Sequence, residues 1–213
     1  MTWAAWAAAA GMLVAGRGAC AAPAAQDVAV STSSVAAVGS GRPARWAQRI
    51  PAPGLPNFFK VSDQLYRGAQ PTAEGLEGLK KFGVKTVVDL RAAHSDSGQL
   101  PGGLGFVRIP MRTWDAEEDD MVRFLRVATD RKRGPVFVHC AHGADRTGLM
   151  VAVYRVAAQG WSKEDAIREM TKGGYGFHPF WENIPAALRK LDVEKLKAKA
   201  GLSGEPALKG AHE

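Results

Sequence analysis

The sequence predicts one α/β domain with a central sheet of four to five strands flanked by helices. Short apolar or β-branched runs, KTVVDL, FVRIPM and PVFVHC, have the length and composition of strands buried within a sheet. Helical apolar patterns alternate with these runs, as in βαβ units. The chain has 213 residues, 46% of them hydrophobic, which is enough to bury the core of one medium-sized domain.

The first predicted elements are a strand and a helix. In QLYRGAQPT, a short strand around Leu65 and Tyr66 leads into a turn, and Tyr66 and Arg67 are expected to anchor this strand by packing and hydrogen bonding. Thr72 is placed to cap a helix that ends at Gly83. One face of this helix carries Leu76, Leu79 and Phe82.

Further helices are predicted in the second half of the chain. One begins with the acidic residues 117–120, where the helix dipole favours negative charge. Its apolar residues recur at helical spacing: Met121, Phe124, Leu125 and Ala128. The run TGLMVAVYRVAAQG is apolar on nearly all sides and predicts a central buried helix ending at Gly160. Ser162 and Asp165 resemble a capping box for the next helix, and residues 180–191 predict a final one.

The first 21 residues are expected to form an export signal. Residues 3–16 are an apolar run of suitable length, and the small residues ending at Ala21 match an A-x-A cleavage site. The run is too short to span a bilayer. We therefore expect a periplasmic or secreted protein with no stable membrane insertion after cleavage. A lipid anchor on Cys20 is the alternative, although Arg17 occupies a position where a lipoprotein signal needs an apolar residue.

The remaining chain divides into three predicted parts. Residues 22–56 are rich in alanine, serine, glycine and proline and predict a linker or loosely ordered arm. Residues 57–192 contain the predicted strands and helices and form the expected domain. Residues 193–213 are polar and predict a C-terminal tail.

Charge and cysteine usage limit the function classes. The chain has 28 Lys and Arg against 21 Asp and Glu, an excess that favours anionic partners. Because these basic residues form no run of the kind that marks nucleic-acid binding, nucleic acid is not an expected partner. Signal cleavage would leave Cys140 as the single cysteine, which has no intramolecular disulfide partner and can remain a thiol.

The stretch FVHCAHGADRTGLM carries the chemistry. It predicts a strand, a short loop and a helix, an arrangement that aims loop amides and the positive helix end at one point and so binds an anion. Cys140 lies at the mouth of this loop, where the same field favours the nucleophilic thiolate. Arg146 can hold two phosphoryl oxygens with its planar fork. Gly143 permits a tight turn, and Gly148 lets the helix approach a neighbour closely.

Residues 139–148, HCAHGADRTG, match the H-C-x-x-G-x-x-R-[ST]-G signature and resemble the cysteine-dependent protein tyrosine phosphatases. The resemblance covers roughly residues 57–192, including LYRGAQPT and TVVDLR, and is closest to the exported bacterial members of the small dual-specificity branch. It implies a phosphatase-type P-loop between a strand and a buried helix.

The resemblance also implies a role for each loop residue. Cys140 attacks phosphorus to give a phosphocysteine, His139 orients the loop and favours the thiolate, and Thr147 assists breakdown of the intermediate. The phosphate-binding residues are Ala141, His142, Gly143, Ala144, Asp145 and Arg146. Neither a cofactor nor a metal ion is implied. Zinc is further disfavoured because no second Cys or His pair has the spacing of metal ligands.

The same chemistry needs a general acid, best served by a carboxylate on a movable loop. Within the family this aspartate precedes the cysteine by a few tens of residues, and Asp115, directly after the predicted strand FVRIPM, is the preferred candidate. Asp145 is a rival, because the DR ending of the loop also resembles myotubularin phosphatases. The remaining rivals are Glu117, Glu118, Asp119 and Asp120, whose other interpretation is a solvated helix start.

Three functions follow from the motif. The first is a phosphatase acting on phosphotyrosine, with phosphoserine and phosphothreonine, in a protein such as the extracytoplasmic part of a membrane protein. The second acts on small anionic metabolites such as inositol phosphates or phosphoinositides, although the acidic Asp145 and the absence of lysine in the loop disfavour a multiply charged ligand. The third is a non-catalytic phosphate-binding module. His142 could line the pocket, and His178 is expected to be a turn residue.

Overall fold

The structure is a computed structural model that describes residues 42–204. The expected export signal, Cys20 and parts of the predicted linker and tail lie outside these residues. Among residues 42–204, no helix has both the length and the apolar composition that crossing a bilayer requires.

The α/β fold class is confirmed, with six strands in the central sheet instead of four to five. Their order across the sheet is β1-β2-β3-β6-β4-β5. β1, β2 and β3 pair antiparallel, whereas the β3–β6, β6–β4 and β4–β5 pairs are parallel. The strands are β1 (Gln48–Arg49), β2 (Phe59–Ser62), β3 (Leu65–Gly68), β4 (Thr86–Arg91), β5 (Gly105–Met111) and β6 (Val136–His139).

Six helices complete the described part of the chain. They are α1 (Ala73–Lys81), α2 (Glu118–Ala128), α3 (Asp145–Gln159), α4 (Lys163–Lys172), α5 (Asn183–Lys190) and α6 (Val193–Ala200). The predicted caps are present, because the Thr72 and Ser162 side chains accept hydrogen bonds from Gly75 N and Asp165 N. The predicted end of α3 at Gly160 is also confirmed, with that residue in the left-handed conformation.

The folded domain extends beyond the predicted bounds of 57–192 on both sides. Trp46, Ala47 and Leu55 are buried in the segment predicted to be a linker, which also contains β1. Their burial could not be predicted from the sequence. Isolated apolar residues among Gly, Pro and Ala do not recur with the spacing of a helix or a strand. At the other end, α6 lies in the predicted tail and buries Leu196. The helix predicted at residues 180–191 is shorter in the structure, where α5 spans Asn183–Lys190.

The core positions the end of β6. All four residues of β6 are buried between parallel neighbours, and α3 buries nearly every one of its residues. Residues 140–146, named the cysteine loop from here on, join these two elements at the carboxyl end of the parallel strands. Crevices at this edge of an α/β sheet are common ligand sites.

Candidate active site

The backbone amides of the cysteine loop are available to bind a ligand. Within residues 42–204, none of the amides of residues 141–146 donates to a protein acceptor. Cys140 lies at the base of this loop with 2% of its surface exposed. α3 begins at Asp145, so its positive end points to the same place. Free amides at a helix N-terminus form an anion site.

The carbonyl groups of the loop explain this orientation. Gln70 N donates to Ala141 O at 3.2 Å, and Asn57 Nδ2 donates to His142 O at 2.9 Å. Arg67 Nη2 donates to Gly143 O at 2.6 Å. In a planar peptide the N–H points opposite to the C=O. Because surrounding residues donate to three successive carbonyls, the three amides that follow them point away from those residues.

Gly143 permits the loop to lie directly against β3. Its φ is +69°, a conformation that side chains disfavour. A Cβ at this position would lie 2.4 Å from the carbonyl carbon and oxygen of Gly68. The prediction that Gly143 allows a tight turn is therefore confirmed. The predicted close approach at Gly148 is present too, because a Cβ there would lie 2.9 Å from Met170 Cγ.

Arg67 supports the loop from beneath. The side chain is fully buried, and its guanidinium lies 3.7 Å from the centroid of the Tyr175 ring. Burial lowers the pKa of Arg67 from its ordinary value, while Tyr175 and Glu169 act in the opposite direction. Burial also raises the pKa of Tyr175, to about 12. The sequence predicts that Arg67 anchors its own strand, and in the structure Arg67 also holds the cysteine loop through Gly143 O.

His139 is held by a buried ionic network. Its Nε2 lies 3.0 Å from Asp96 Oδ2, and its Nδ1 lies 3.3 Å from the Cys140 carbonyl oxygen. Arg91 contacts Asp96 and also pairs with both oxygens of Asp89 at 2.9 Å. Burial would raise the pKa of Asp96, but the contacts with His139 and Arg91 hold it below its ordinary value. The network fixes the imidazole directly before the nucleophile.

Arg146 and Thr147 complete the pocket. Arg146 is half-buried, and its Nη1 lies 3.5 Å from the Met111 carbonyl oxygen, so most of its donors are available to a ligand. The Thr147 hydroxyl is buried and has no hydrogen-bond partner in the described part of the chain. This hydroxyl is therefore available for a hydrogen bond to an intermediate that forms during a reaction at Cys140.

Asp115 is exposed on a turn that begins beside the cysteine loop. The turn follows Met111 at the end of β5 and is closed by a hydrogen bond from Asp115 N to Arg112 O at 3.3 Å. Asn183 Nδ2 donates to Thr113 O at 2.9 Å and fixes the turn to α5. Asp115 therefore lies on an exposed turn after β5, and its role as general acid stays a prediction.

Several rival carboxylates are already engaged. Glu118 lies 2.6 Å from Lys199 Nζ, and this contact lowers its pKa. Asp120 lies 3.5 Å from Arg123, and burial raises its pKa above the ordinary value. Asp145 is buried and accepts hydrogen bonds from His178 through both oxygens, at 2.9 Å from the backbone N and 2.8 Å from Nδ1.

His178 has a larger role than a turn residue. Its contacts with Asp145 attach residues 173–182, named the aromatic segment here, to the cysteine loop. Its ring lies 5.6 Å from the His142 ring and 5.4 Å from the Phe180 ring. His142 is exposed at the pocket mouth, as expected for a residue that lines it.

Sequence reasoning missed several residues that shape the site. Asn57 occurs in a proline-rich stretch, and its positive φ of 54° gives no sequence signal. Asp96 lies in a polar loop, HSDSGQ, that resembles any exposed connection. Tyr175 and Gln70 likewise act through contacts with distant parts of the chain. Among the residues that shape the site, those within and next to the signature at residues 139–148 carried a local sequence pattern.

Comparisons with known proteins agree with this geometry. Residues 55–180, more than half of the chain, match the family described as DSP-PTPase phosphatase fused to NAD+ Kinase. The chain is 38% identical over 157 residues to the dual specificity protein phosphatase TpbA of Pseudomonas aeruginosa (strain UCBPP-PA14), covering 71% of this chain and 69% of that protein. A crystal structure of a P. aeruginosa TpbA variant in complex with pTyr aligns with a TM-score of 0.66 at 30% identity, covering 77% of this chain and 99% of that one.

A third relative has another substrate class in its name. The inositol diphosphatase DSP5 of Arabidopsis thaliana is 26% identical over 127 residues, covering 55% of this chain and 61% of that protein. The family match over residues 55–180 and the 38% identity to TpbA show the family of this chain. The chain therefore belongs to the dual-specificity branch of the cysteine-dependent protein tyrosine phosphatases and is a phosphatase.

Proposed function

We propose that the protein hydrolyses phosphotyrosine, together with phosphoserine and phosphothreonine, in proteins through a phosphocysteine intermediate. The amides of the cysteine loop, which donate to no protein acceptor in the described part of the chain, are the observation that carries this proposal. Such amides can donate hydrogen bonds to the oxygens of a transferring phosphoryl group. Arg146 adds a bidentate donor for the same group.

The proposed reaction has two steps. The Cys140 thiolate attacks phosphorus, an S–P bond forms, and the P–O bond to the leaving group breaks while Asp115 donates a proton to the leaving oxygen. In the second step Asp115 accepts a proton from water as the water attacks phosphorus. This step releases inorganic phosphate and restores the thiolate. Thr147 donates a hydrogen bond to the departing sulfur.

The surroundings of the pocket favour an aryl phosphate. Phe180 is 69% exposed on the aromatic segment, and Trp114 is 66% exposed on the turn before Asp115. Asn183 follows the aromatic segment directly and donates to Thr113 O. The segments that carry Phe180 and Trp114 therefore adjoin each other. Aromatic rings stack favourably with a tyrosine ring. The pTyr complex of a TpbA variant supports the same substrate class.

Inositol phosphates are the second candidate, supported by the name of one relative. The cysteine loop contains Ala141, Ala144 and the acidic Asp145 but no lysine. A ligand with several phosphates needs more positive charge than one arginine provides. We therefore place this candidate behind phosphotyrosine.

The test measures phosphate release from a phosphotyrosine peptide, a phosphoserine peptide and an inositol polyphosphate. We expect kcat/KM to be highest on the phosphotyrosine peptide, with inhibition by vanadate and no loss of activity in EDTA. Cys140→Ser is expected to be inactive yet to bind phosphate, since the amides and Arg146 remain. Turnover by this variant at even about a tenth of the wild-type rate would exclude Cys140 as the nucleophile.

Export of the protein is a separate proposal. The apolar run and the small residues ending at Ala21 support cleavage and release into the periplasm, where a phosphorylated protein segment outside the cytoplasm would be the substrate. Fusion of residues 1–30 to a reporter that is active only outside the cytoplasm tests this. A silent reporter in a well-expressed fusion would contradict export, and mass spectrometry of the mature N-terminus separates cleavage from acylation at Cys20.

A further inference from the structure

Three potential metal ligands meet beside the cysteine loop. His142, Asp145 and His178 each offer one ligand atom, and these atoms all lie within 4.8 Å of one another. Two of the residues belong to the cysteine loop and the third to the aromatic segment. His142 and His178 are at least partly exposed, so an ion can reach them from solvent.

Asp145 contacts no Lys or Arg side chain within residues 42–204. Its side chain is 10% exposed, and in the described part of the chain its only ion-pair partner is His178. A second buried cluster, formed by Asp89, Asp96 and His139, differs because the Arg91 guanidinium already lies against both carboxylates. A cation therefore has a place beside Asp145 that is not taken by a Lys or Arg side chain.

The chemistry of the ligands favours a transition metal over calcium or magnesium. Two imidazoles and one carboxylate suit zinc, whereas calcium and magnesium prefer oxygen ligands. Three protein ligands with one open position are a common arrangement for zinc. Metal–ligand bonds of about 2.0–2.1 Å put two ligand atoms of a tetrahedral site about 3.3 Å apart. His178 Nδ1 and Asp145 Oδ2, now 2.8 Å apart, need to separate by only about 0.5 Å.

We propose that His142, Asp145 and His178 form a zinc-binding site at the rim of the phosphatase pocket. The ion replaces the proton shared by His178 Nδ1 and Asp145 Oδ2, and His142 supplies the third ligand. A bound ion ties the cysteine loop to the aromatic segment at the pocket mouth. The proposed mechanism itself uses no metal, so the ion would act on the shape of the cysteine loop and not on the bond-breaking steps.

The first experiment measures Zn²⁺ binding to the full chain by calorimetry in a Cys140→Ser background, which removes the thiolate as a ligand. We expect one ion per chain. His142→Ala and His178→Ala are each expected to weaken binding by at least about tenfold, whereas His94→Ala, an exposed histidine in another loop, leaves binding unchanged. Lack of saturable binding, or equal binding in all four proteins, would overturn the site.

A second measurement uses the wild-type chain, so no substitution can alter its fold. Co²⁺ added to the wild-type chain should give the visible absorption of a four-coordinate site with nitrogen and oxygen ligands. A strong thiolate-to-metal charge-transfer band would instead place the ion on Cys140 and would contradict the proposal. Circular dichroism of the His142→Ala chain, whose substituted side chain is exposed, checks that loss of binding is not loss of fold.

Discussion

At the scale of single residues, Asp115 makes the sharpest prediction, because the need for a general acid depends on the leaving group. Nitrophenolate leaves almost unaided, whereas the oxygen of a serine or tyrosine side chain requires a proton. Asp115→Asn should lower kcat on phosphopeptides by about 10²-fold and lower it less on activated aryl phosphates. It should also flatten the alkaline limb of the pH–kcat profile. Steady-state kinetics on both substrate types measure these effects.

Matched variants separate Asp115 from its rivals. Asp119→Asn removes an exposed carboxylate from the start of α2, and Asp145→Asn removes the partner of His178. If either variant changes the leaving-group dependence while Asp115→Asn does not, another carboxylate is the acid. Asp120 remains in this comparison too, because its raised pKa favours the protonated form that an acid requires.

Asp96 links the site to acid stability. Because its pKa is held below the ordinary value of 3.8, the native state binds this proton less tightly than the unfolded chain does. The resulting stabilisation is complete above that pH and is lost as the pH falls through the folded pKa. Asp96→Asn should lower the unfolding free energy at pH 7 by about 3 kcal/mol, since it removes the carboxylate beside His139 and one of the two carboxylates that Arg91 contacts. It should also flatten the decline in stability below about pH 4.

Urea denaturation across pH measures this effect. Asp63→Asn is the control, because Asp63 forms an exposed ion pair with Lys60 and should contribute little. An Asp96→Asn chain with the wild-type unfolding free energy at pH 7 would show that the buried network does not stabilise the fold.

At the scale of secondary-structure elements, the contact between the cysteine loop and β3 decides the geometry of the site. Gly143→Ala places a methyl group 2.4 Å from Gly68 backbone atoms and imposes a disfavoured φ. The loop must then move away from β3, which displaces the amides from the positions of the phosphoryl oxygens. We expect kcat/KM to fall by at least about 10²-fold and the unfolding free energy by more than about 1 kcal/mol.

The control for this prediction is Gly102→Ala. A Cβ at Gly102 meets no atom within 4 Å, so both kinetics and stability should stay near those of the wild type. Gly143→Ala with unchanged kcat/KM would mean that the loop can bind phosphate without lying against β3.

At the scale of the whole molecule, the segment before residue 57 belongs to the domain. Ala47 N donates to Glu169 Oε1 at 2.7 Å, and Glu169 also pairs with Arg155 at 2.7 Å and accepts from Tyr175 OH at 3.1 Å. Because Tyr175 packs on Arg67, and Arg67 donates to Gly143 O, the segment is connected to the cysteine loop through Glu169, Tyr175 and Arg67.

A chain beginning at residue 57 should therefore be less stable than one beginning at residue 42. The truncation removes the buried side chains of Trp46 and Leu55, and we expect the unfolding free energy to fall by at least about 3 kcal/mol. Chemical denaturation compares the two chains, and phosphate release reports on the site. Equal midpoints would show that residues 42–56 are dispensable, as the predicted linker implied.

The sequence by itself determined the fold class, the central strands, the buried helix and the cysteine loop. These features are local, because strand composition, helical period, caps and the HCAHGADRTG spacing are each contained in a short stretch. A strand followed by a helix also fixes where the loop amides point relative to the helix end, so the anion site could be predicted from one segment.

Only the tertiary structure decided what surrounds that segment. Asn57 and Arg67 hold the loop carbonyls, Asp96 holds His139, and His178 joins His142 and Asp145 although it is far away in the sequence. No period or spacing encodes such contacts. They depend on how strands are ordered in the sheet and how connecting segments pack, and both are set by burial of the whole core.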